Sequence, residues 1–254
     1  MTWIKKYSQK LLMTGLILFS SLLSFAQTDI LESAAKAYAN GDFKTALEHY
    51  SRLVADDQMS ASLYYNLGNC HYKMDELGEA IWAYEKALKI DPGHENARFN
   101  LAFAQEQTYD QLEIASSDVL RWFRSNLFVF GINFWPYTSV LFSLLFSVTL
   151  YFFFTTKQSR IKNYALSFGF LFIGLMIASH VLGFLQKKHI NDRSTAIIIA
   201  DSITVRTSPS DTAEEAFALH EGTKVNLQRS NDLWLEISIN GNTGWVEKSE
   251  VLEI

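Results

Sequence analysis

A single cysteine, Cys70, stands in this chain of 254 residues, so no intramolecular disulfide can form and the compartment must be read from targeting signals instead. Basic side chains are scarce outside the apolar stretches. Residues 27–118 carry 7 Lys/Arg against 16 Asp/Glu, and residues 196–254 carry 4 against 10. Neither part offers the basic face that nucleic acid or anionic lipid requires, so no nucleic-acid partner is expected. Catalytic patterns are missing too: there is no phosphate-cradling GxxxxGK(S/T), no GxGxxG and no HExxH. No Ser/His/Asp or Cys/His arrangement has a segment able to frame it. These absences argue against an enzyme, and no cofactor or metal is expected.

Charge disappears altogether between Ser125 and Thr156, and within that stretch Phe134 to Phe154 is long enough to cross a hydrocarbon core of roughly 30 Å. A second apolar run, Tyr164 to Leu185, is bounded by Lys162 and Lys187. Trp135, Tyr137, Tyr151 and Tyr164 sit near the ends of these runs, where amphipathic rings prefer the membrane interface. The lipid bilayer is therefore an expected partner. His180 in the second run is either a functional intramembrane group or a solvated residue near the outer interface. Ala165/Gly169 and Gly174/Ala178 form small-xxx-small pairs that suit close helix approach. Arg121 to Phe134 mixes aromatics with two arginines, which suits either an interfacial helix or an early start of the span.

At the N-terminus Lys5, Lys6 and Lys10 precede an apolar run from Leu11 to Phe25, with Ser24 and Ala26 placed for a cut ahead of Gln27. This reads as a secretory signal peptide or as an uncleaved anchor, and either one exports the residues after it. Lys157, Arg160 and Lys162 between the two spans place that loop in the cytoplasm by the positive-inside rule. Lys187, Lys188, Arg193, Arg121 and Arg124 argue the other way, and the signal peptide breaks the tie. The expectation is a multi-pass protein of the bacterial inner (cytoplasmic) membrane with both soluble domains in the periplasm.

Self-similarity recurs at an offset of 34: Phe43 with Leu77, Ala46 with Ala80, Tyr50 with Tyr84. The second copy resembles the tetratricopeptide repeat family. Tyr64, Leu67 and Gly68 match its first helix, and Ala80, Tyr84, Ala87 and Pro92 match its second helix and stop; His71 stands where a tyrosine is usual. The first copy keeps Ala34, Gly41, Phe43, Ala46 and Tyr50 but has Leu53 at a small-residue position. A third copy begins at Glu95 and loses the pattern, leaving a helix expected from His94 to about Ala115 as a cap or a partner-docking element. The resemblance implies a concave protein-binding groove at Tyr38, Tyr65, Asn69, Tyr72 and Lys73, with Asn66 adjacent. The same tyrosines also fit ordinary packing. The family's carboxylate clamp is incomplete, so the ligand's end group is not assigned.

From Ala196 the pattern changes to short β-prone runs between turn residues. Val205-Arg206 with Pro209, Leu219 with Glu221-Gly222 and Val225, then Trp234, and Asn240-Gly241 followed by Gly244-Trp245-Val246 resemble the bacterial SH3 domain family. Asn240-Gly241 suits a tight hairpin, Gly244 a close turn into the last strand, and Trp245 a cover for one barrel end. Some relatives bind peptidoglycan or peptides. That makes Arg206, Trp234 and Trp245 the candidate binding residues, although tryptophans in so small a barrel also serve as core.

The expected fold is a multidomain membrane protein: an all-α tetratricopeptide solenoid, a two-helix transmembrane hairpin and a small all-β SH3-like barrel. Its expected parts are a signal peptide (1–26), the repeat domain (27–118), an interfacial segment (119–133), spans at 134–154 and 164–185 around a loop (155–163), a linker (186–195) and the SH3 domain (196–254). This order resembles the BatE type among the Bacteroides aerotolerance (Bat) proteins. The resemblance implies a non-enzymatic scaffold for other Bat membrane proteins, associated with a MoxR-type ATPase and stress or oxygen tolerance. In that reading the two soluble modules are tethered within reach of one membrane surface and bind by avidity. The rival reading is an envelope sensor whose SH3 domain binds peptidoglycan.

Overall fold

The computed structural model describes residues 29–55, 60–110, 126, 130–131 and 133–254. The expected signal peptide and most of the interfacial segment lie outside the described residues.

The repeat region is built from α1 (residues 29–39), α2 (Phe43–Ala55), α3 (Ala61–Lys73), α4 (Leu77–Ile90) and α5 (Glu95–Gln105). The offset of 34 is visible in the backbone. The α1–α2 turn is closed by Asp42 N–H donating to Ala37 O, and the α3–α4 turn by Glu76 N–H donating to His71 O, each at 3.0 Å. Both turns need a left-handed residue, Gly41 (φ 80) in the first and Asp75 (φ 65) in the second. Gly68 lets α3 and α4 meet: a Cβ there would lie 2.5 Å from Cε1 of Tyr84. Leu53, the large residue at a small-residue position, is buried with Ala46, Tyr50 and Leu63 in the core of the first pair. Helix α5 starts at His94, whose Nδ1 accepts from Ala97 N–H, and buries Ala97, Leu101 and Ala104. It ends at Gln105, well short of Ala115, and just beyond its end Thr108 Oγ1 donates to Gln105 O.

Two helices are long and apolar enough to cross a membrane, α6 (Phe134–Thr155) and α7 (Ser159–Ile190). At about 1.5 Å per residue even the shorter exceeds the hydrocarbon thickness. They pack antiparallel along Gly169, where a Cβ would lie 3.3 Å from Thr149 Oγ1, and Gly183, where it would lie 3.2 Å from Trp135 Cβ. Ser139 Oγ pairs with His180 Nδ1 at 2.7 Å. The Ala165/Gly169 pair is thus spent inside the hairpin, whereas nothing lies within 4 Å of a Cβ built on Gly174. The segment 186–195, read from sequence as a linker, is helical to Ile190, and Ile190 is buried against Ala61, Ala87, Ile90 and Ala97 of the repeats.

The C-terminal domain is one antiparallel sheet of seven strands: β1 (Thr195–Ile198), β2 (Ser202–Arg206), β3 (Glu215–His220), β4 (Lys224–Ser230), β5 (Trp234–Ile239), β6 (Asn242–Glu247) and β7 (Val251–Glu253), in the order β3-β2-β6-β5-β4-β1-β7. Asn240 (φ 49) and Gly241 (φ 86) make the tight β5–β6 turn, as two left-handed residues in succession must. Gly244 differs from its expected role as a turn residue. It lies within β6, where a Cβ would meet Val205 Cγ1 at 2.4 Å, so the missing side chain lets β2 approach. Alternate residues Leu235, Ile237 and Ile239 face a core shared with Val205, Leu219, Val225 and Val246.

The repeats and the sheet are packed together, contrary to the expectation of two modules on a tether. One face of α4 carries Gly78, the adjacent pair Ile81 and Trp82, Glu85 and Lys89, each step about one helical turn on, and all of them meet the C-terminal part of the chain. Gly78 N–H donates to Glu221 Oε1 at 2.6 Å, Trp82 Nε1–H to Glu253 O at 2.9 Å, and Lys224 Nζ to Glu85 Oε2 at 2.8 Å. Ile197 and Ile254 of the sheet share a buried cluster with Ala80, Ile81, Tyr84, Leu101 and Ala104.

Candidate functional site

With α4 occupied on its outer face, the concave face formed by the first helix of each pair stays open. It holds a groove of about 340 Å³ lined by Tyr38 of α1, Tyr65, Asn69, Tyr72 and Lys73 of α3, Tyr84 of α4, and Phe99, Asn100 and Phe103 of α5. Five of the six expected residues therefore share one surface. Asn66 is half-buried on α3 and is not among the lining residues.

The floor is a hydrogen-bonded knot. Asn69 Oδ1 accepts from Tyr84 Oη–H at 2.9 Å and from Asn100 Nδ2 at 2.8 Å. Burial raises the Tyr84 and Tyr38 phenols above their usual pKa, so both are neutral donors at any physiological pH. The walls are aromatic. Phe99 is 71% and Phe103 50% exposed, and Tyr72 sits 6.0 Å from Phe103 with its hydroxyl accepting from Gln107 Nε2. Lys73 is the one ionised group in the lining. Such a surface can stack and hydrogen-bond an extended ligand, and it places no carboxylate where a nucleophile or proton would be activated.

Sequence reasoning missed Tyr84 as a lining residue and all three contributions of α5. The signal was available, because an offset of 34 carries Tyr65 to Phe99, Asn66 to Asn100 and Asn69 to Phe103. The third copy loses its small-residue pattern, yet its helix still forms the groove's last wall.

In the sheet the three expected residues separate. Trp234 is buried and, at the start of β5, lines a hollow of about 280 Å³ with Asp211, Asp232, Leu233, Glu247, Lys248 and Ser249. Trp245 is half-buried on the outward face of β6, opposite to core residue Val246, and not at a barrel end. Its register neighbours are Arg206 on β2 and Glu236 on β5, and Glu236 in turn pairs with Arg229 at 2.5 Å. Arg206 Nη1 donates to Ala213 O, which ties it to the β2–β3 loop. Arg206 and Trp245 thus form one outward row, and Trp234 belongs to a separate hollow.

Among the described residues no group of three or more His, Cys, Asp or Glu side chains is placed to hold a metal ion. Cys70 is buried in the first repeat core, and burial pushes its thiol up to about 11.

Comparison with curated proteins finds no match. Family models described as tetratricopeptide repeat and TPR repeat match residues 61–94 and 36–75, and one described as bacterial SH3 domain matches residues 200–253. The chain carries tetratricopeptide repeats and a bacterial SH3 domain, and together they support a role in protein interaction or cell-wall binding.

Proposed function

We propose that this chain is a non-enzymatic scaffold of a bacterial inner membrane, anchored by the α6–α7 hairpin with both soluble parts on its outer side. The groove is the protein-binding site and the SH3 sheet its rigid support. The observation that carries this reading is the groove itself, an open aromatic and amide surface left free while the opposite face of the repeats is covered by the sheet. The same-side arrangement is supported by the hairpin: α6 starts where α7 ends, so the repeats before it and the sheet after it emerge together. The domain order supports assignment to a Bat-type aerotolerance or stress-tolerance complex of the BatE kind, whose other membrane proteins are the proposed partners.

Reporter fusions at 110, 159 and 254 test the topology, with outside, inside and outside signals expected. An inside signal at 254 contradicts it. Capture of partners from solubilised membranes by wild type and by the Phe99→Ala/Phe103→Ala variant tests the groove. Equal partner sets from the two proteins contradict it.

A second reading, peptidoglycan binding by the SH3 sheet, is favoured by the outward Arg206–Trp245 row. Sedimentation of the protein with purified peptidoglycan, lost in Trp245→Ala, is the result that replaces partner capture by wall binding.

A further inference from the structure

Block by block the soluble parts are acidic, but the fold gathers basic groups from three separate segments at one place. The end of α4 packs onto the end of α7 through Ile90 and Ile190. Lys86 and Lys89 lie on that last turn and a half of α4, Lys187 and Lys188 on the last turn of α7, and Arg193 just beyond it. Lys89 Nζ donates to the backbone carbonyls of Asp192 and Ile254, which holds its ammonium over the α7–β1 connection. Lys86 Nζ sits 5.9 Å from the centroid of the Trp82 ring, and among the described residues no carboxylate lies within salt-bridge distance of it. Glu253 lies 3.8 Å from Arg193, and Asp91 follows Ile90 at the end of α4. Lys86, Lys89 and Arg193 lie near enough to feel one another's charge.

The location gives the surface a ligand. Ile90 and Asp91 border a hollow shared with Gly131, Asn133, Phe134 and Tyr137 at the start of α6, so this end of α4 lies level with the mouth of the hairpin. Gly183 faces Trp135 near the start of α6, and Lys187 and Lys188 come one turn later, at the depth where headgroups begin. We propose that Lys86, Lys89 and Arg193, with Lys187 and Lys188, form a binding site for the phosphate of an anionic phospholipid at the mouth of the hairpin. The site accounts for basic residues on the side of the membrane where the positive-inside rule does not ask for them. Burial, and then the nearness of Lys89 and Arg193, lowers the Lys86 ammonium to about 8. The inference rests on α6 and α7 being membrane spans and is independent of what the groove binds.

The test uses the full chain in neutral detergent, titrated with dihexanoyl phosphatidylglycerol, dihexanoyl phosphatidylcholine and inorganic phosphate, with occupancy read by native mass spectrometry. Phosphatidylglycerol is expected to bind tightest, and the Lys86→Met/Arg193→Gln variant to bind it roughly thirtyfold more weakly, each basic group at an anionic surface contributing about a factor of five. Lys86→Arg keeps the affinity. Equal affinity of wild type and the double variant overturns the site. Equal affinity of wild type for phosphatidylglycerol and inorganic phosphate overturns the lipid assignment. If the double variant fails to fold, Arg193→Gln alone decides, because that side chain is 76% exposed; its unchanged affinity for phosphatidylglycerol overturns the proposal.

Discussion

Across 143 positions of sequence, the backbone N–H of Gly78 donates to Glu221 Oε1 at 2.6 Å, and the same glycine lies so close to β1 that a Cβ would meet Ile198 O at 2.7 Å. The approach to Ile198 is backbone against backbone, so rotating a side chain cannot relieve it. We expect Gly78→Val to force α4 and the sheet apart at a cost of about 1–3 kcal/mol. Urea unfolding followed by tryptophan emission checks this, since Trp82 reports the joint and Trp234 the sheet. Unchanged stability in Gly78→Val contradicts the close packing.

The groove residues divide into exposed rings proposed to bind and buried groups that hold the floor. Phe99→Ala with Phe103→Ala removes exposed rings, so partner capture should fall while the helical signal in circular dichroism and the melting temperature stay as in wild type. Asn69→Ala should lower stability by about 1–3 kcal/mol, because it leaves the buried Tyr84 hydroxyl and the Asn100 amide without their shared acceptor. A stable Asn69→Ala variant would show that the knot on the groove floor carries no energy.

Cys70 should resist labelling. Its thiol is buried and held up to about 11, so the fraction of thiolate at pH 8 is far below that of a free cysteine. Reaction with a maleimide in native protein should be slow and should track global unfolding by denaturant. Rapid labelling at low denaturant would contradict the packing of α3 against the first repeat.

Lys86 should cost stability at neutral pH. Its folded pKa of about 8 lies below the unfolded value of 10.5, so the unfolded state binds more protons between those limits and stability rises with pH across that window. Below about pH 8 the penalty is constant. Discounted for partial solvent screening, Lys86→Met should stabilise the lipid-free protein by about 1 kcal/mol at pH 7 and by less above pH 10. Thermal unfolding in neutral detergent at both pH values is the check, and a destabilised Lys86→Met at pH 7 contradicts it.

The repeat register was legible because its signals are local. Phe43, Ala46 and Tyr50 recur at Leu77, Ala80 and Tyr84, and Gly68 meets Tyr84 within one helical hairpin. Asn240-Gly241 was legible for the same reason. Five of the groove residues came from the repeat geometry, and α5 is harder to see because its copy keeps the groove positions after losing the packing ones. The joint between the repeat region and the sheet was not legible. Its partners are separated by 110 to 171 positions, as in Asp110 with His220 and Trp82 with Glu253, and no periodicity links them. A hint did exist in α4, where Gly78, Ile81 and Trp82 make a second apolar stripe beside the one that Ala80, Ala83 and Ala87 present to α3. The basic cluster was half visible to charge counting: Lys187, Lys188 and Arg193 stand out after the second span, whereas Lys86 and Lys89 are averaged into the acidic repeat region.

Whether the repeats and the SH3 sheet form one body at the mouth of the hairpin is decided by a disulfide across the joint. A Cβ placed on Gly222 would lie 3.6 Å from Cβ of Thr108, within the range of about 3.5–4.5 Å that a disulfide needs, at the cost of a side chain on a left-handed backbone (φ 81) and of a shift by Ile81, whose Cδ1 would lie at 2.7 Å. In a Cys70→Ala background, full-length protein carrying Thr108→Cys and Gly222→Cys is oxidised in isolated membranes and the free thiols are counted by mass after maleimide labelling. Near-complete pairing of the two cysteines is predicted under mild oxidation, abolished when the membranes are first treated with denaturant. Two free thiols in folded, membrane-embedded protein would mean that the domains swing apart on a tether, and would contradict the single body.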